Sequence, residues 1–323
     1  GQSIIKIDGR DCLSTNWISD TKVRCRVPPG WSKDRSIALE GVAGQNADSK
    51  ILFSYLRPVV NSITPDVVPT QMDEPIIATI SGNNFGQCGG KENSTEAPKY
   101  CPDPKAFING YPCISTKYVS HNQIKCTVPN GVGTKLRVTV KLGNLDSATN
   151  SLFTYEKPIL KNVEPKHGEA IGTNIVTITG EHFGHKSSAG KCTAISKSSC
   201  LTGTCCISSP PPSLEFNDIV CATTTWISNT ELKCKVNPKP GVGARNPISV
   251  IIGQQKTKTL NEEVRYTINP PTTAKILPSV VPRGGGTYAL KNKGREGNVW
   301  ENVAETIMIY GNNYGTSAST VKA

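Results

Sequence analysis

Three pairs of cysteines share one spacing, and that spacing sets the frame in which the rest of the chain is read. Cys12 and Cys25 lie 13 residues apart, as do Cys113 and Cys126, and Cys221 and Cys234. Each pair holds an aromatic five positions past its first cysteine: Trp17, Tyr118 and Trp226. The surrounding text repeats as well, CLSTNWISDTKVRCRVP from Cys12, CISTKYVSHNQIKCTVP from Cys113 and CATTTWISNTELKCKV from Cys221. A fixed period has to be settled before any motif search, because it defines the unit that folds.

A second block also recurs. PVVNSITP (Pro58–Pro65) leads to ATISGNNFG (Ala78–Gly86), and PILKNVEP (Pro158–Pro165) leads to VTITGEHFG (Val176–Gly184). TAKILPSVVPRGGG (Thr273–Gly286) leads to MIYGNNYG (Met308–Gly315). The first block is the front of a module and the cysteine block is its back. Residues 56–155 and 156–268 are therefore complete modules, residues 1–55 a back half and residues 269–323 a front half. The two fragments have 55 residues each and together match a complete module in length. Each module is of a size at which a β-sandwich folds around its own core.

Stretches such as Leu136–Leu142 (LRVTVKL), Ile248–Ile252 and Ile175–Ile178 alternate apolar with polar residues, the period of a half-buried strand. Turn residues recur between them, among 29 Gly and 23 Pro in all, and no segment keeps a helical period. The expected fold is all-β, tandem sandwich modules with split half-modules at both ends. The prolines at both ends of PVVNSITP and PILKNVEP suit an edge strand. Trp17, Tyr118 and Trp226 are expected to be core aromatics packed on their disulfides.

Evenly paired cysteines without CxxC or histidine partners favour disulfides over zinc and imply an oxidising compartment. Cys88 and Cys101 bracket a polar insertion and are expected to pair. Cys192, Cys200, Cys205 and Cys206 sit in a second insertion. A bridge between the vicinal Cys205 and Cys206 would be strained, which leaves two connectivities open. Asn93-Ser94-Thr95 is an N-glycosylation sequon inside the first insertion. The polar Ser208–Ser213 stretch suits a short extended polyproline segment.

In order, these motifs resemble the IPT/TIG domain: P-x-(I/V)-x-x-(I/V)-x-P, a strand ending G-x-x-(F/Y)-G, then the cysteine pair with its (W/Y)-x-S, then a Gly-bearing turn and V-x-V. That immunoglobulin-like module occurs in plexin-type receptors and at the ends of some transcription factors. The resemblance spans the chain apart from the two cysteine-rich insertions and Tyr288–Asn302. It implies an early-immunoglobulin sandwich, and the cysteine-bearing form is similar to the extracellular branch.

The formal charge of +11 is spread along the chain without a Lys/Arg run, so a nucleic-acid partner is not expected. A weak attraction to anionic polysaccharide or membrane surfaces stays open. No segment reaches the ~18 apolar residues of a membrane span, and the residues from Gly1 do not read as a signal peptide, so the true N-terminus is expected to be missing. Because the cysteines imply secretion, the chain is expected to be a mature form or a piece of something longer. His182-x-x-His185 offers a metal pair, but His182 aligns with Asn84 and Asn313 and is expected to be a turn residue; His121 aligns with Asp20 and Asn229 and is read alike. No nucleophile elbow, phosphate loop, calcium loop or paired-carboxylate motif occurs, so no catalytic residue, metal or cofactor is expected.

The leading expectation is an extracellular structural protein that joins head to tail into a fibril. The joint runs from the tail Tyr314, Gly315, Thr316, Ser317, Ala318 to the head Ser3, Ile4, Ile5, Lys6, Ile7. A contact of this kind that does not close gives an open filament. The alternative is a receptor or adhesin ectodomain that binds a protein ligand. An enzyme accessory or carbohydrate-binding module comes last, because aromatics make up only 6% of the chain.

Overall fold

A computed structural model describes residues 4–40, 46–88, 101–149, 151–170, 174–185, 212–237, 245–259, 264–277, 279, 287–292, 298–304 and 308–314. Among these every regular element is a strand. Module 56–155 stacks two sheets. The first runs Ser115–Ser120, Gln123–Thr127, Ile77–Asn83, Val59–Thr64, Ala148–Thr149. The second runs Tyr111–Pro112, Pro104–Ile108, Leu136–Leu142, Leu152–Tyr155, Val67–Val68. Module 156–268 repeats the plan, from Thr223–Ser228 to Lys258–Thr259 in one sheet and from His167–Gly168 to Ile219–Val220 in the other. The proline-flanked strand Val59–Thr64 is not an edge as expected: it pairs antiparallel with Ile77–Asn83 and parallel with Ala148–Thr149.

The alternation explains the layering. Ala78 and Ile80 of one sheet face Val138, Val140 and Leu142 of the other, and all are essentially fully buried. Val176, Ile178, Val250 and Ile252 do the same in the second module. Each such side chain stabilises by about 1.5–3 kcal/mol when fully buried. The two cores are separate clusters.

A disulfide crosses each sandwich from the second sheet's side to a strand of the first. Cys113–Cys126 and Cys221–Cys234 have Cα separations of 5.6 and 5.9 Å. Cys88–Cys101 is bonded too, with a Cα separation of 4.1 Å. Cys192, Cys200, Cys205, Cys206, Asn93 and Ser208–Pro211 lie outside the described residues.

The closing tyrosine of module 56–155 is a latch. Tyr155 is buried, donates its hydroxyl to Pro129 O at 2.7 Å and meets Phe153 edge-on at 5.1 Å. Gly131 lies under its ring, where a Cβ would collide with it. Burial pushes the Tyr155 phenol well above the usual range and that of Tyr266 up to about 12. An unfolded tyrosine ionises near pH 10. The folded state keeps its proton longer, so this stabilisation is complete below pH 10 and is lost as pH rises toward 12. Melting temperature is therefore expected to be flat from pH 7 to 9.5 and to drop between pH 10 and 12. Tyr266→Phe should flatten that drop for its module.

Candidate assembly interface

Two described turns of the half-modules match those of the complete ones. The hairpin turn Asp8-Gly9 (φ 53°, 74°) repeats Asn109-Gly110 (52°, 83°) and Asn217-Asp218 (48°, 64°). Paired positive φ values are those of a type I′ hairpin, which Asn, Asp and Gly tolerate. In the tail Asn313 (φ 63°) repeats Asn84 (63°) and His182 (62°). His182 is thus the left-handed turn residue expected of it, with Nε2 2.9 Å from Glu156 Oε2. Asn84 and Asn313 instead donate to Arg57 O and Pro270 O. Among the described residues no three His, Cys, Asp or Glu side chains gather as a metal site, and no helix is long and apolar enough to cross a membrane.

The head supplies the second sheet of a module and the hairpin of the first. Arg10–Asp11, Ile4–Ile7, Arg35–Glu40 and Asn46–Phe53 form a four-stranded sheet. Ser14–Ser19 and Lys22–Arg26 form a separate pair. Cys12–Cys25, with a Cα separation of 5.7 Å, ties that pair to the sheet as in the complete modules. The tail supplies the rest, Thr272–Leu277 paired with Met308–Asn312. Its extra segment Tyr288–Asn302 is part of a hairpin of Thr287–Asn292 with Asn298–Ala304.

Two strand edges therefore lack the neighbour that their counterparts have. Gln123–Thr127 pairs with Ile77–Asn83, and Glu231–Lys235 with Ile175–Glu181. Among the described residues their equivalent in the head, Lys22–Arg26, pairs only with Ser14–Ser19. The tail equivalent of Ile77–Asn83 is Met308–Asn312, which among the described residues pairs only with Thr272–Leu277. The head strand Ile4–Ile7, by contrast, already pairs with Arg10–Asp11 on one side and Arg35–Glu40 on the other.

Burial follows the same division. Ile80 and Ile178 are 0% exposed, whereas Ile309 at the same position is 49% exposed. Ile63 and Val163 are buried, whereas Ile276 is exposed. Trp17 departs from the expected core position: it is 69% exposed. Tyr118 and Trp226 are half-buried against their cores. They also do more than pack. Tyr118 donates its hydroxyl to Gly86 O and Trp226 its Nε1–H to Phe183 O, each at 2.9 Å. The front half of the module provides that acceptor, and among the described residues no front half stands against Trp17. The head edge also carries Lys22, Arg24 and Arg26, all exposed.

Successive modules meet through a recurring contact that the sequence did not reveal. The loop after the second cysteine reaches forward onto the next module. Trp31 packs against the core of module 56–155, and Ser32 Oγ and Lys33 N meet Asn144 Oδ1, the latter at 2.9 Å. At the next boundary Val132 enters the core of module 156–268. There Thr70 Oγ1 donates to Asn229 Oδ1 at 2.9 Å and buried Gln255 Nε2 to Tyr155 O at 3.0 Å. The exits are equivalent as well: Glu156 N donates to Val68 O and Asn269 N to Gly168 O, both at 2.8 Å.

The IPT/TIG domain model matches residues 58–156 and 158–268. Among solved structures, the full extracellular region of plexin A4 matches at 15% identity over 97% of this chain and 27% of that one, TM-score 0.27. The Bacteroides ovatus mixed-linkage glucan utilization locus protein SGBP-B, in complex with a mixed-linkage heptasaccharide, matches at 14% over 84% and 62%, TM-score 0.22. Yersinia pseudotuberculosis InvD matches at 13% over 80% and 71%, TM-score 0.25. The chain spans between 27% and 53% of the length of the first three structures it matches. With the family model covering both complete modules, and their strand order and disulfides repeated, the chain belongs to the IPT/TIG domain family.

Proposed function

We propose that this protein is an extracellular, non-enzymatic structural element whose head and tail half-modules complete one another, so that copies join head to tail into a filament. The observation that supports it most is the matched pair of open edges. Among the described residues Lys22–Arg26 and Met308–Asn312 each lack the partner strand that the other resembles. Strand addition satisfies such an edge with main-chain hydrogen bonds. Left alone, an exposed edge beside apolar side chains is prone to unspecific pairing.

The complete modules define the joint in detail. Gly82 N donates to Asn122 O and Gly180 N to Thr230 O, each at 2.9 Å. The corresponding bond runs from Gly311 N to Thr21 O. Trp17 Nε1–H then donates to Tyr314 O, as Trp226 does to Phe183 O. Strand pairing falls on Lys22–Arg26, while Ile4–Ile7 and Tyr314 flank the join. Ser3, Gly315, Thr316, Ser317 and Ala318 complete that connection and lie outside the described residues. Burial of Trp17, Ile276 and Ile309 would contribute about 1.5–3 kcal/mol each. The contact sets that span two boundaries support a stiff row of modules, and the disulfides support an oxidising, extracellular setting.

Electron microscopy of the native protein tests this reading. Filaments with an axial repeat of three modules are the expected result. Isolated rods at micromolar concentration would contradict it and favour an ectodomain that binds a protein ligand. If filaments form, boiling in detergent without reductant separates two ways of making the joint. Complementation between copies releases 34.6-kDa chains; a peptide-bonded continuation does not.

A further inference from the structure

We propose that the cleft beside Trp31, at the boundary between the head half-module and module 56–155, binds an acidic saccharide, one carrying a carboxylate or a sulfate ester. The cleft measures about 490 Å³ and is lined by Trp31, Asp103, Lys105, Phe107, Lys141 and Gly143. Its unusual feature is a like-charge pair. Lys105 and Lys141 are direct cross-strand partners on Pro104–Ile108 and Leu136–Leu142. Like charges directly opposite one another destabilise a sheet. On its other side Lys141 stands opposite Asp146, yet among the described residues neither ammonium closes an ion pair or hydrogen bond. Module 156–268 has no such pair: Ser213 and Ile251 stand opposite each other there.

Two ammonium groups on one cleft wall, neither closed into an ion pair, favour an anion between them. The rest of the lining narrows the class. Trp31 and Phe107 are half-buried rings beside the lysines, suited to the apolar face of a pyranose. Asp103, exposed and also lining the cleft, accepts hydrogen bonds from sugar hydroxyls but repels a simple polyanion. Rings for the face, a carboxylate for hydroxyls and paired cations for the acidic group form a concave site with a few placed polar groups. The cleft needs both sides of the boundary, because Trp31 comes from the head and every other lining residue named comes from the module. The inference does not depend on filament formation.

The experiment is calorimetric titration of the full chain with a uronate oligosaccharide, a sulfated oligosaccharide and a neutral oligosaccharide of equal length. Binding of at least one acidic ligand, at least tenfold tighter than the neutral one and weakening as salt rises from 50 to 500 mM, is expected. Which acidic ligand binds identifies the source of the anion. Lys105→Glu is the decisive variant. It replaces the like-charge pair with an attractive one, so its melting temperature should be unchanged or higher while acidic-saccharide affinity falls at least tenfold. Equal binding of neutral and acidic ligands, unchanged affinity in Lys105→Glu, or no binding at millimolar concentration overturns the proposal.

Discussion

Ile80→Ala is expected to destabilise module 56–155 by about 2–5 kcal/mol, the range for truncating a fully buried aliphatic side chain. Ile309→Ala, the same change at the same position of the repeat, should leave the unfolding of both complete modules unaltered. The difference is environmental rather than chemical. Ile80 is 0% exposed between two sheets, whereas Ile309 is 49% exposed on a two-stranded pair. In the joined state Ile309 would enter a core made with the head of the next copy. Ile309→Asp should therefore abolish assembly outright, because it places an unpaired carboxylate where Ile80 and Ile178 sit. Calorimetry of the unassembled chain, and light scattering at rising concentration, check the two halves of this expectation. A loss of stability in unassembled Ile309→Ala comparable to that of Ile80→Ala would show that the tail is already packed within its own chain. Undiminished scattering in Ile309→Asp would place the joint elsewhere.

Much of this was legible in the residues because it was periodic. The cysteine spacing aligned modules whose other positions vary freely, and the Gly-x-x-(F/Y)-Gly turns marked strand ends. That was enough to find the split module and its turn residues, His182 included. Periodicity also misled at Trp17. Its alignment with Tyr118 and Trp226 argued for a core position, yet the surface that covers those rings belongs to the front half, and among the described residues none stands against Trp17. The proline-flanked strand was misjudged for a related reason. The two-residue strand Ala148–Thr149 that covers Val59–Thr64 is too short to leave a pattern. The boundary contacts were invisible because Thr70–Asn229 and Ser32–Asn144 join residues 159 and 112 positions apart. A single polar side chain at such a distance has no local signature. The lysine pair of the Trp31 cleft was hidden likewise, since only strand register brings Lys105 and Lys141 face to face.

Register also gives the account its sharpest commitment. Lys125 stands opposite Thr79 and Lys233 opposite Thr177 in the complete modules. Counting from the second cysteine and from the turn glycine, Arg24 of one copy must stand opposite Met308 of the next. Both face outward from the sandwich and both are exposed in the unjoined chain. Directly opposed residues have Cα atoms about 4.5–5.5 Å apart, within the range a disulfide spans. Diagonal neighbours two residues off are about 7–8 Å apart. Mild oxidation of the Arg24→Cys/Met308→Cys variant, followed by a non-reducing denaturing gel, is the most direct test of head-to-tail completion. The account requires a ladder of multiples of 34.6 kDa that reductant collapses, and no ladder from Arg24→Cys/Tyr310→Cys. A chain that stays single, or ladders equally in both variants, would contradict it.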